Sequence, residues 1–250
     1  DGDDIAMGHF SSLGYYVSAF IGNLIGKDSK STEELQIPES LSFLRNTTIS
    51  TAITMIIVYL ISAIAAGSEF VMGISDGTNP YVYAILCGLR FAVGVAIVYA
   101  GVRMILADLV PAFQGISQKV IPNAIPAVDC AVFFTYAPTA VVIGFISSFI
   151  GGLAGMLLLG ALGGILIVPG MVPHFFCGAT AGVYGNSTGG RKGAVVGAFV
   201  NGLMLSFLPA LLLPVLGQLG FSNTTFGDID FAILGVLIGK IGELAGPVGI

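Results

Sequence analysis

VPAFQGISQKVIPNAIPAVDCAVFFTYAPTAVVIGFISSF, residues 110–149, is the stretch that decides the fold predicted for this chain. It carries four prolines, Lys119 and Asp129, although the chain around it is almost entirely apolar. A simple membrane-crossing helix has no use for these residues, because broken backbone inside a membrane is tolerated only where protein or a wet cavity satisfies it. A carboxylate in that setting is costly and marks a candidate functional site. We therefore expect the core of a membrane protein here.

The composition of the whole chain sets its class. Hydrophobic residues make up 55% of the 250 residues, charged residues only 9%, and the mean hydropathy is +0.96. Soluble domains are about one-quarter charged, so we predict an all-α protein that crosses the lipid bilayer several times. The 36 glycines suit close helix packing in lipid. The net charge of −5 argues against a nucleic-acid partner.

Apolar runs and breakers predict about five transmembrane helices, two re-entrant hairpins and one interfacial amphipathic helix. The amphipathic helix is residues 8–26, where apolar side chains recur every three or four residues from Phe10 to Leu24. The hairpins are residues 110–136 and 169–190. The apolar runs that can supply these crossings are residues 48–66, 81–109, 138–150, 152–168, 194–219 and 231–245. Between the first two elements, Ser31 and Glu34 have the spacing of a capping box.

These elements divide the chain into four segments. Residues 1–47 hold the interfacial helix and a polar cytoplasmic loop, and residues 48–109 hold two transmembrane helices. Residues 110–190 form the core substrate region with its two hairpins. Residues 191–250 form two terminal transmembrane helices.

The few charges predict how the chain is oriented. Basic residues mark the cytoplasmic side, so Lys27, Lys30 and Arg45 place the first polar loop inside. The loops that contain Asp76 and Asp228 have acidic residues and no basic ones, and we expect them outside. The number of crossings agrees with these loop positions only if each hairpin returns to the side of the membrane from which it entered.

Asp129 is the first candidate for substrate binding. It follows two X-Pro steps, Ile121-Pro122 and Ile125-Pro126, where the backbone should be extended or turned with spare carbonyl groups. A carboxylate beside them can accept hydrogen bonds from substrate hydroxyls. The alternative is a structural ion pair with Arg90 or Lys119.

The two histidines and the remaining charged residues give weaker signals. His174 follows Pro169-Gly170-Met171-Val172-Pro173 and either caps that turn or contacts a ligand, whereas a lone histidine such as His9 is usually structural. We expect Arg90 to face the bundle interior in a structural ion pair. Cys87, Cys130 and Cys177 lie in apolar runs, as small buried residues do. The sequence assembles no nucleophile set and no metal cluster, so we predict no catalytic residue, metal or cofactor.

Several short motifs occur along residues 1–190 in a specific order and spacing. They are Gly8-His9, Gly101-Val102-Arg103-Met104, Ala107-Asp108-Leu109, FQGIS at 113–117, Ile121-Pro122, Ala127-Val128-Asp129-Cys130, APTAVV at 137–142, Pro169-Gly170, Phe175-Phe176 and Ala179-Thr180. In these motifs the chain resembles the ascorbate-specific membrane permease, the IIC subunit, of the phosphoenolpyruvate-dependent sugar phosphotransferase system. Members of that family look about twice this long and consist of two inverted halves. This chain resembles the later half of such an inverted-repeat transporter.

The resemblance implies a function and a set of binding residues. It implies a homodimer in the bacterial cytoplasmic membrane, with a core that carries L-ascorbate or a related sugar acid by an elevator-like motion. It also implies that a soluble IIB partner, supplied by IIA, phosphorylates the substrate inside. The family's ligand contacts fall on His9, Phe10, Asp129, Gly170 and Met171. The family can carry a glutamine at the position of Phe10.

Two other classes of function compete with this interpretation. An ion- or proton-coupled secondary transporter of a small polar solute would use Asp129 and Arg90 as a charge relay. A membrane-embedded enzyme is disfavoured because the sequence offers no nucleophile set.

Overall fold

The computed structural model describes residues 6–36, 38, 43, 46–122 and 124–245. Its helices are α1 (Ser12–Ile25), α2 (Thr47–Ala66), α3 (Ser68–Ile74), α4 (Pro80–Lys119), α5 (Cys130–Phe133), α6 (Pro138–Ala161), α7 (Met171–Pro173), α8 (Ala179–Gln218) and α9 (Ile229–Ala245). A 3₁₀ turn spans Thr32–Glu34, and a π-helical turn at His174–Gly178 joins α7 to α8. Two short strands, β1 (Ala6–Met7) and β2 (Ala127–Val128), pair in parallel.

The predicted class, an all-α polytopic membrane protein, is confirmed. Within the described part of the chain, four helical segments are long and apolar enough to cross a membrane: Thr48–Ala66, Pro80–Lys119, Pro138–Ala161 and Met171–Gln218. The chain divides into two compact units, residues 36–125 and residues 1–35 with 126–250. This division falls inside the predicted segment 110–190.

The unit of residues 36–125 is built from α2, α3 and α4. Its small core includes Ala63, Val71 and Ala84. Gly88 of α4 faces the backbone of Ile56 so closely that an added Cβ would lie 2.7 Å from the Ile56 nitrogen. A small residue at this point therefore lets α2 and α4 approach.

Two expectations about α4 need correction. The helix was predicted to end at residue 109, but it continues through Pro111 to Lys119, so the first predicted hairpin begins as helix. Arg90 was expected to face the bundle interior, yet its side chain is exposed within this unit. The buried stripe of α4 follows Ala84, Gly88 and Ala92, and Arg90 lies on another face of the helix. Arg45 lies outside the described residues.

The other unit is organised around a tight helical hairpin within α8. Gly189 and Gly190 leave helical geometry, and Gly190 has φ 54° and ψ −147°, which only glycine adopts readily. The chain reverses there, because Gly193 after the turn lies against Gly185 before it. Residues 171–189 and 191–218 are thus two antiparallel limbs.

α6 and α1 pack against this helical hairpin through small residues. Gly144 of α6 faces the backbone of Gly182, and Ser148 of α6 touches both Gly178 and Gly202, one on each limb. Close backbone approach of this kind is how membrane helices gain packing energy without a hydrophobic driving force.

α1 confirms the helix predicted at residues 8–26 and shows which face it buries. Its buried residues are Gly14, Tyr15, Ser18 and Gly22. Phe20 and Leu24 of the apolar stripe are 63% and 60% exposed. The stripe therefore points away from the rest of this unit.

The predicted boundaries between residues 138 and 190 are wrong in three places. Residues 138–161 form one helix rather than two, because Gly151 and Gly152 pack against neighbours instead of breaking it. Residues 164–168, predicted to belong to a crossing, are irregular. From Met171 the chain is helical up to the turn at Gly189, so the second predicted hairpin is mostly one helical limb.

The polar loop after α1 is fastened to this unit. The predicted capping box between Ser31 and Glu34 is confirmed. The Glu33 carboxylate accepts hydrogen bonds from the Thr139 N–H and hydroxyl, at 3.0 and 2.8 Å, and caps α6. The Arg191 N–H donates to the Lys30 carbonyl at 2.8 Å. The start of α6 and the turn of α8 therefore lie on the same side of the unit.

Candidate functional site

The short parallel pairing of β1 with β2 builds the candidate site. The Ala6 N–H donates to the Pro126 carbonyl at 2.9 Å, and the Gly8 N–H donates to the Val128 carbonyl at 2.8 Å. Pro126 has no N–H, so its backbone can join this ladder only through its carbonyl. The pairing brings the Gly8-His9 step beside the Asp129-Cys130 step, although 120 positions separate them in sequence.

Three functional groups converge there. A ring nitrogen of His9, a carboxylate oxygen of Asp129 and the sulfur of Cys130 all lie within 4.8 Å of one another. His9 is partly buried, Asp129 is exposed and Cys130 is buried. The Asp129 carboxylate makes no capping hydrogen bond to α5, which it precedes. It therefore keeps acceptor capacity for a ligand.

The hydrogen bonds of His9 define its tautomer. Nδ1 lies 2.8 Å from the Phe10 carbonyl oxygen and 3.0 Å from the Tyr15 hydroxyl. A carbonyl only accepts, so Nδ1 carries the proton and Nε2 of the neutral ring is an acceptor. The Tyr15 hydroxyl in turn donates to the Phe10 carbonyl at 2.8 Å. The imidazole is thus held by the first turns of α1.

A cavity of about 660 Å³ is bounded by β1, α1 and α8; its lining includes Tyr15 but not His9, Asp129 or Cys130. Aromatic rings form much of its wall: Tyr15, Tyr16, Phe133, Tyr136 and Tyr184. Met7 of β1 also lines it. Such a cavity has the size of a small-molecule site with apolar walls and a few polar groups.

The structure places the other predicted binding residues differently. Phe10 is 56% exposed, and its ring packs on Phe231 of α9 at 4.6 Å between centroids. Gly170 is the N-cap of α7 and Met171 its first residue, and a Cβ added to Gly170 would meet the ring of Pro173. Among the described residues, no hydrogen bond or ring contact joins Gly170 or Met171 to His9 or Asp129.

His174 has a structural environment. It is 2% exposed, and its Nδ1 lies 2.9 Å from the buried Ser148 hydroxyl. Its ring meets Phe149 edge-on. These contacts favour the interpretation of His174 as a residue that fixes the turn between residue 170 and α8.

Among the described residues, His9, Asp129 and Cys130 form a group that could hold a metal ion. Zinc binds the imidazole, carboxylate and thiolate donors that these residues offer. Cys130 lies between the candidate spans, and burial raises the pKa of its thiol. A hydrogen bond to Asp129 and the charge of that carboxylate raise this pKa further. Without a bound metal ion the thiol is therefore protonated at neutral pH and can donate a hydrogen bond, whereas a coordinated metal ion would itself lower this pKa.

Sequence patterns did not reveal three residues that organise the site. Tyr15 lies on the face of α1 opposite its apolar stripe. Asp228 and Asp230 suggested only an outside loop, yet both carboxylates reach the start of α1. Their partners are more than 200 positions away in sequence, so no local pattern could indicate these contacts.

Comparison with known proteins identifies the family. Residues 1–230 match the family described as PTS system sugar-specific permease component, EIIC-GAT, and the chain belongs to it. The chain is also 27% identical over 222 residues to the ascorbate-specific PTS system EIIC component of Mycoplasma pneumoniae. That match covers 76% of this chain and 33% of the relative, so the chain spans about a third of the relative's length.

Proposed function

We propose that this chain is part of the IIC subunit of a phosphotransferase-system transporter that takes up L-ascorbate or a similar sugar acid. The observation that supports this most is the pairing of β1 with β2, which brings His9 together with Asp129. Family membership and the similarity to an ascorbate-specific component support the same substrate class.

The chemistry of the site suits a polyhydroxylated ligand. Sugar acids present several hydroxyl donors, and the Asp129 carboxylate and His9 Nε2 are acceptors. Hydrogen bonds to a charged acceptor contribute about 1.5–3 kcal/mol each, more than neutral ones do. The aromatic wall of the cavity offers surfaces for the carbon skeleton. Phe10, Gly170 and Met171 complete the proposed binding set.

The proposed transport cycle is the one that the family membership suggests. The unit that contains His9 and Asp129 is proposed to carry the substrate by an elevator-like motion within a homodimer, in the cytoplasmic membrane of a bacterium. Phosphoryl transfer belongs to the soluble IIB partner, which IIA recharges. The chain itself then has no catalytic residue and acts as a permease.

Uptake of radiolabelled L-ascorbate tests this proposal. Cells that express the full-length protein together with IIA and IIB should accumulate phosphorylated ascorbate, and cells without the general phosphotransferase proteins should not. His9→Ala should reduce uptake at low substrate concentration, whereas the exposed-loop variant Asp76→Asn should not. Accumulation of unmodified ascorbate in the deficient cells, driven by a cation gradient, would instead indicate an ion-coupled secondary transporter.

A further inference from the structure

The N-termini of α1 and α9 meet and cap each other. The first N–H groups of a helix have no partner within it and need an outside acceptor. The Asp230 carboxylate of α9 accepts from the Ser12 N–H at 2.8 Å and from the Leu13 N–H at 3.0 Å, both in α1. In return, the Ser11 hydroxyl oxygen accepts from the Ile229 N–H of α9 at 3.1 Å.

Asp228 closes this arrangement. One of its oxygens accepts from the Phe231 N–H at 3.0 Å, which caps α9. The other accepts from the Ser11 hydroxyl at 2.8 Å. Ser11 is fully buried and uses its hydroxyl both as donor and as acceptor, so the two helix starts are joined through it.

The backbone at Ser11 shows that these bonds determine the local conformation. Ser11 has φ 71° and ψ 21°, a left-handed conformation that costs a residue with a side chain about 1 kcal/mol. Such a conformation persists where the surroundings impose it. The hydrogen bonds of its side chain with Asp228 and with the Ile229 N–H help to hold Ser11 in this conformation, and both partners are more than 200 positions away in sequence.

Ser11 lies two positions after His9. The Ser12 hydroxyl donates to the His9 carbonyl at 3.3 Å, and Tyr15 in the next turn holds the His9 ring. Phe10, between His9 and Ser11, packs on Phe231 of α9. The direction of the His9 side chain therefore depends on α9 through several independent contacts.

We propose that Asp228 and Asp230 are positioning residues for substrate binding, which act through His9. This inference rests on the proposed function, because it assigns His9 to the ligand. The C-terminal helix α9 is then part of the substrate site, although it contributes no group that touches the substrate. Asp230 is the acceptor for the Ser12 and Leu13 N–H groups, which have no partner within α1. Loss of its carboxylate should therefore loosen the loop of residues 8–11.

A double-mutant cycle on the full-length protein tests the proposal. Affinity for radiolabelled L-ascorbate is measured for the wild type, Asp230→Ala, His9→Ala and the double variant. Loss of two charged caps should weaken binding about tenfold in Asp230→Ala. The same change should add almost nothing when His9 is already alanine, because coupled residues are non-additive. Fully additive effects, or wild-type affinity in Asp230→Ala, would overturn the proposal.

Matched variants separate positioning from charge and from folding. Asp230→Asn keeps one acceptor oxygen and should restore part of the affinity. Asp28→Ala removes the same charge from an exposed loop position and should bind as the wild type does. If Asp230→Asn is as weak as Asp230→Ala in well-folded protein, capping is not the reason and the proposal fails.

Hydrogen exchange gives a readout that needs no substrate. Backbone amides of residues 8–13 should exchange faster in Asp230→Ala and Asp230→Asn, while those of α2 should not change. Unchanged exchange at residues 8–13 would show that Asp230 does not restrain this segment and would overturn the proposal. If instead the wild type binds no ascorbate, or His9→Ala binds it normally, the proposed function fails and the exchange result still decides the role of Asp230.

Discussion

Nδ1 of His9 lies 3.0 Å from the phenolic oxygen of Tyr15, and both groups share the Phe10 carbonyl as an acceptor. Tyr15 is 2% exposed, so this hydroxyl is the buried end of a side chain whose ring packs in the core of its unit. Tyr15 of α1 therefore holds the ring of His9, the candidate binding histidine, in one orientation.

Removal of that hydroxyl should weaken substrate binding without changing the fold. Tyr15→Phe keeps the packed ring and loses one hydrogen-bonding group, which contributes about 1 kcal/mol or roughly fivefold in affinity. The measurement is binding of L-ascorbate to purified protein. Tyr81→Phe, an exposed tyrosine at the start of α4, is the control. Equal affinity of Tyr15→Phe and the wild type would remove Tyr15 from the site.

The turn at Gly190 makes a prediction about folding. Gly190 has φ 54°, and an added Cβ would collide with the carbonyls of Ser29 and Lys30. Gly190→Ala should therefore combine backbone strain with a steric clash and destabilise the protein by about 3 kcal/mol or more. Gly163→Ala is the matched control, because Gly163 has φ 68° but open space around it. It should cost only about 1–2 kcal/mol.

Thermal unfolding of detergent-purified variants compares the two glycines. A melting temperature for Gly190→Ala equal to that of Gly163→Ala would show that the polar loop moves aside. In that case the loop would not be packed against the turn as the structure has it.

The sequence predicted the class of protein and much of its local structure, for identifiable reasons. Low charge and long apolar runs identify membrane helices wherever they occur, and the capping box at Ser31 depends on residues three positions apart. The resemblance named His9 and Asp129 together, and the β1–β2 pairing supplies the contact between them. Local rules and the order and spacing of the motifs are sufficient for these features.

The errors arose where a residue has two possible uses. Glycines at 151 and 152 can break a helix or let it pack, and their contacts with α8 decide the second use. Pro111 can end a helix, yet α4 continues through it. Asp230 caps a helix more than 200 positions away. Such outcomes depend on the tertiary partner, which the local sequence does not contain.

Glu33 should stabilise the start of α6. Its carboxylate accepts from the N–H groups of Thr139 and Ala140, both at 3.0 Å, and no side chain of α6 replaces it as a cap. Glu33→Ala should lower the free energy of unfolding by about 1–2 kcal/mol, and Glu33→Gln by less, because one acceptor oxygen remains. Thermal unfolding measures the difference, with Asp28→Ala as the control. A cap role would be excluded if both Glu33 variants melted with the wild type.

The contact between Lys30 and Arg191 sharpens the predicted orientation. Because these residues touch, positions 30 and 192 must lie on the same side of the membrane. We predict that Lys30 and Lys192 face the cytoplasm, and that Asp76 and the loop before Asp228 face outside.

Cysteine labelling with an impermeant reagent decides the orientation. Lys30→Cys, Lys192→Cys, Asp76→Cys and Ser222→Cys are made in a Cys87→Ala background, since Cys130 and Cys177 are buried. The last two should label from outside intact cells and the first two only after lysis. Labelling of position 192 from outside would reverse the predicted orientation, and labelling of only one of positions 30 and 192 would contradict the packing of the polar loop.

Asp129 gives the most direct test of the substrate site. Asp129→Asn keeps the size and one acceptor oxygen but loses the charge, and charged hydrogen bonds exceed neutral ones by about 1–2 kcal/mol. Binding of L-ascorbate should therefore weaken roughly five- to thirty-fold. Asp129→Ala should be weaker still, because it leaves the substrate's hydroxyl donors without a partner. The measurement is ligand binding to well-folded full-length protein, with Asp76→Asn as the control.

If Asp129 serves only as an ion-pair partner of Arg90, each single neutralisation should misfold and the double one should restore folding and transport. Near-native affinity in Asp129→Asn, or rescue by the double variant, would remove Asp129 from the substrate site.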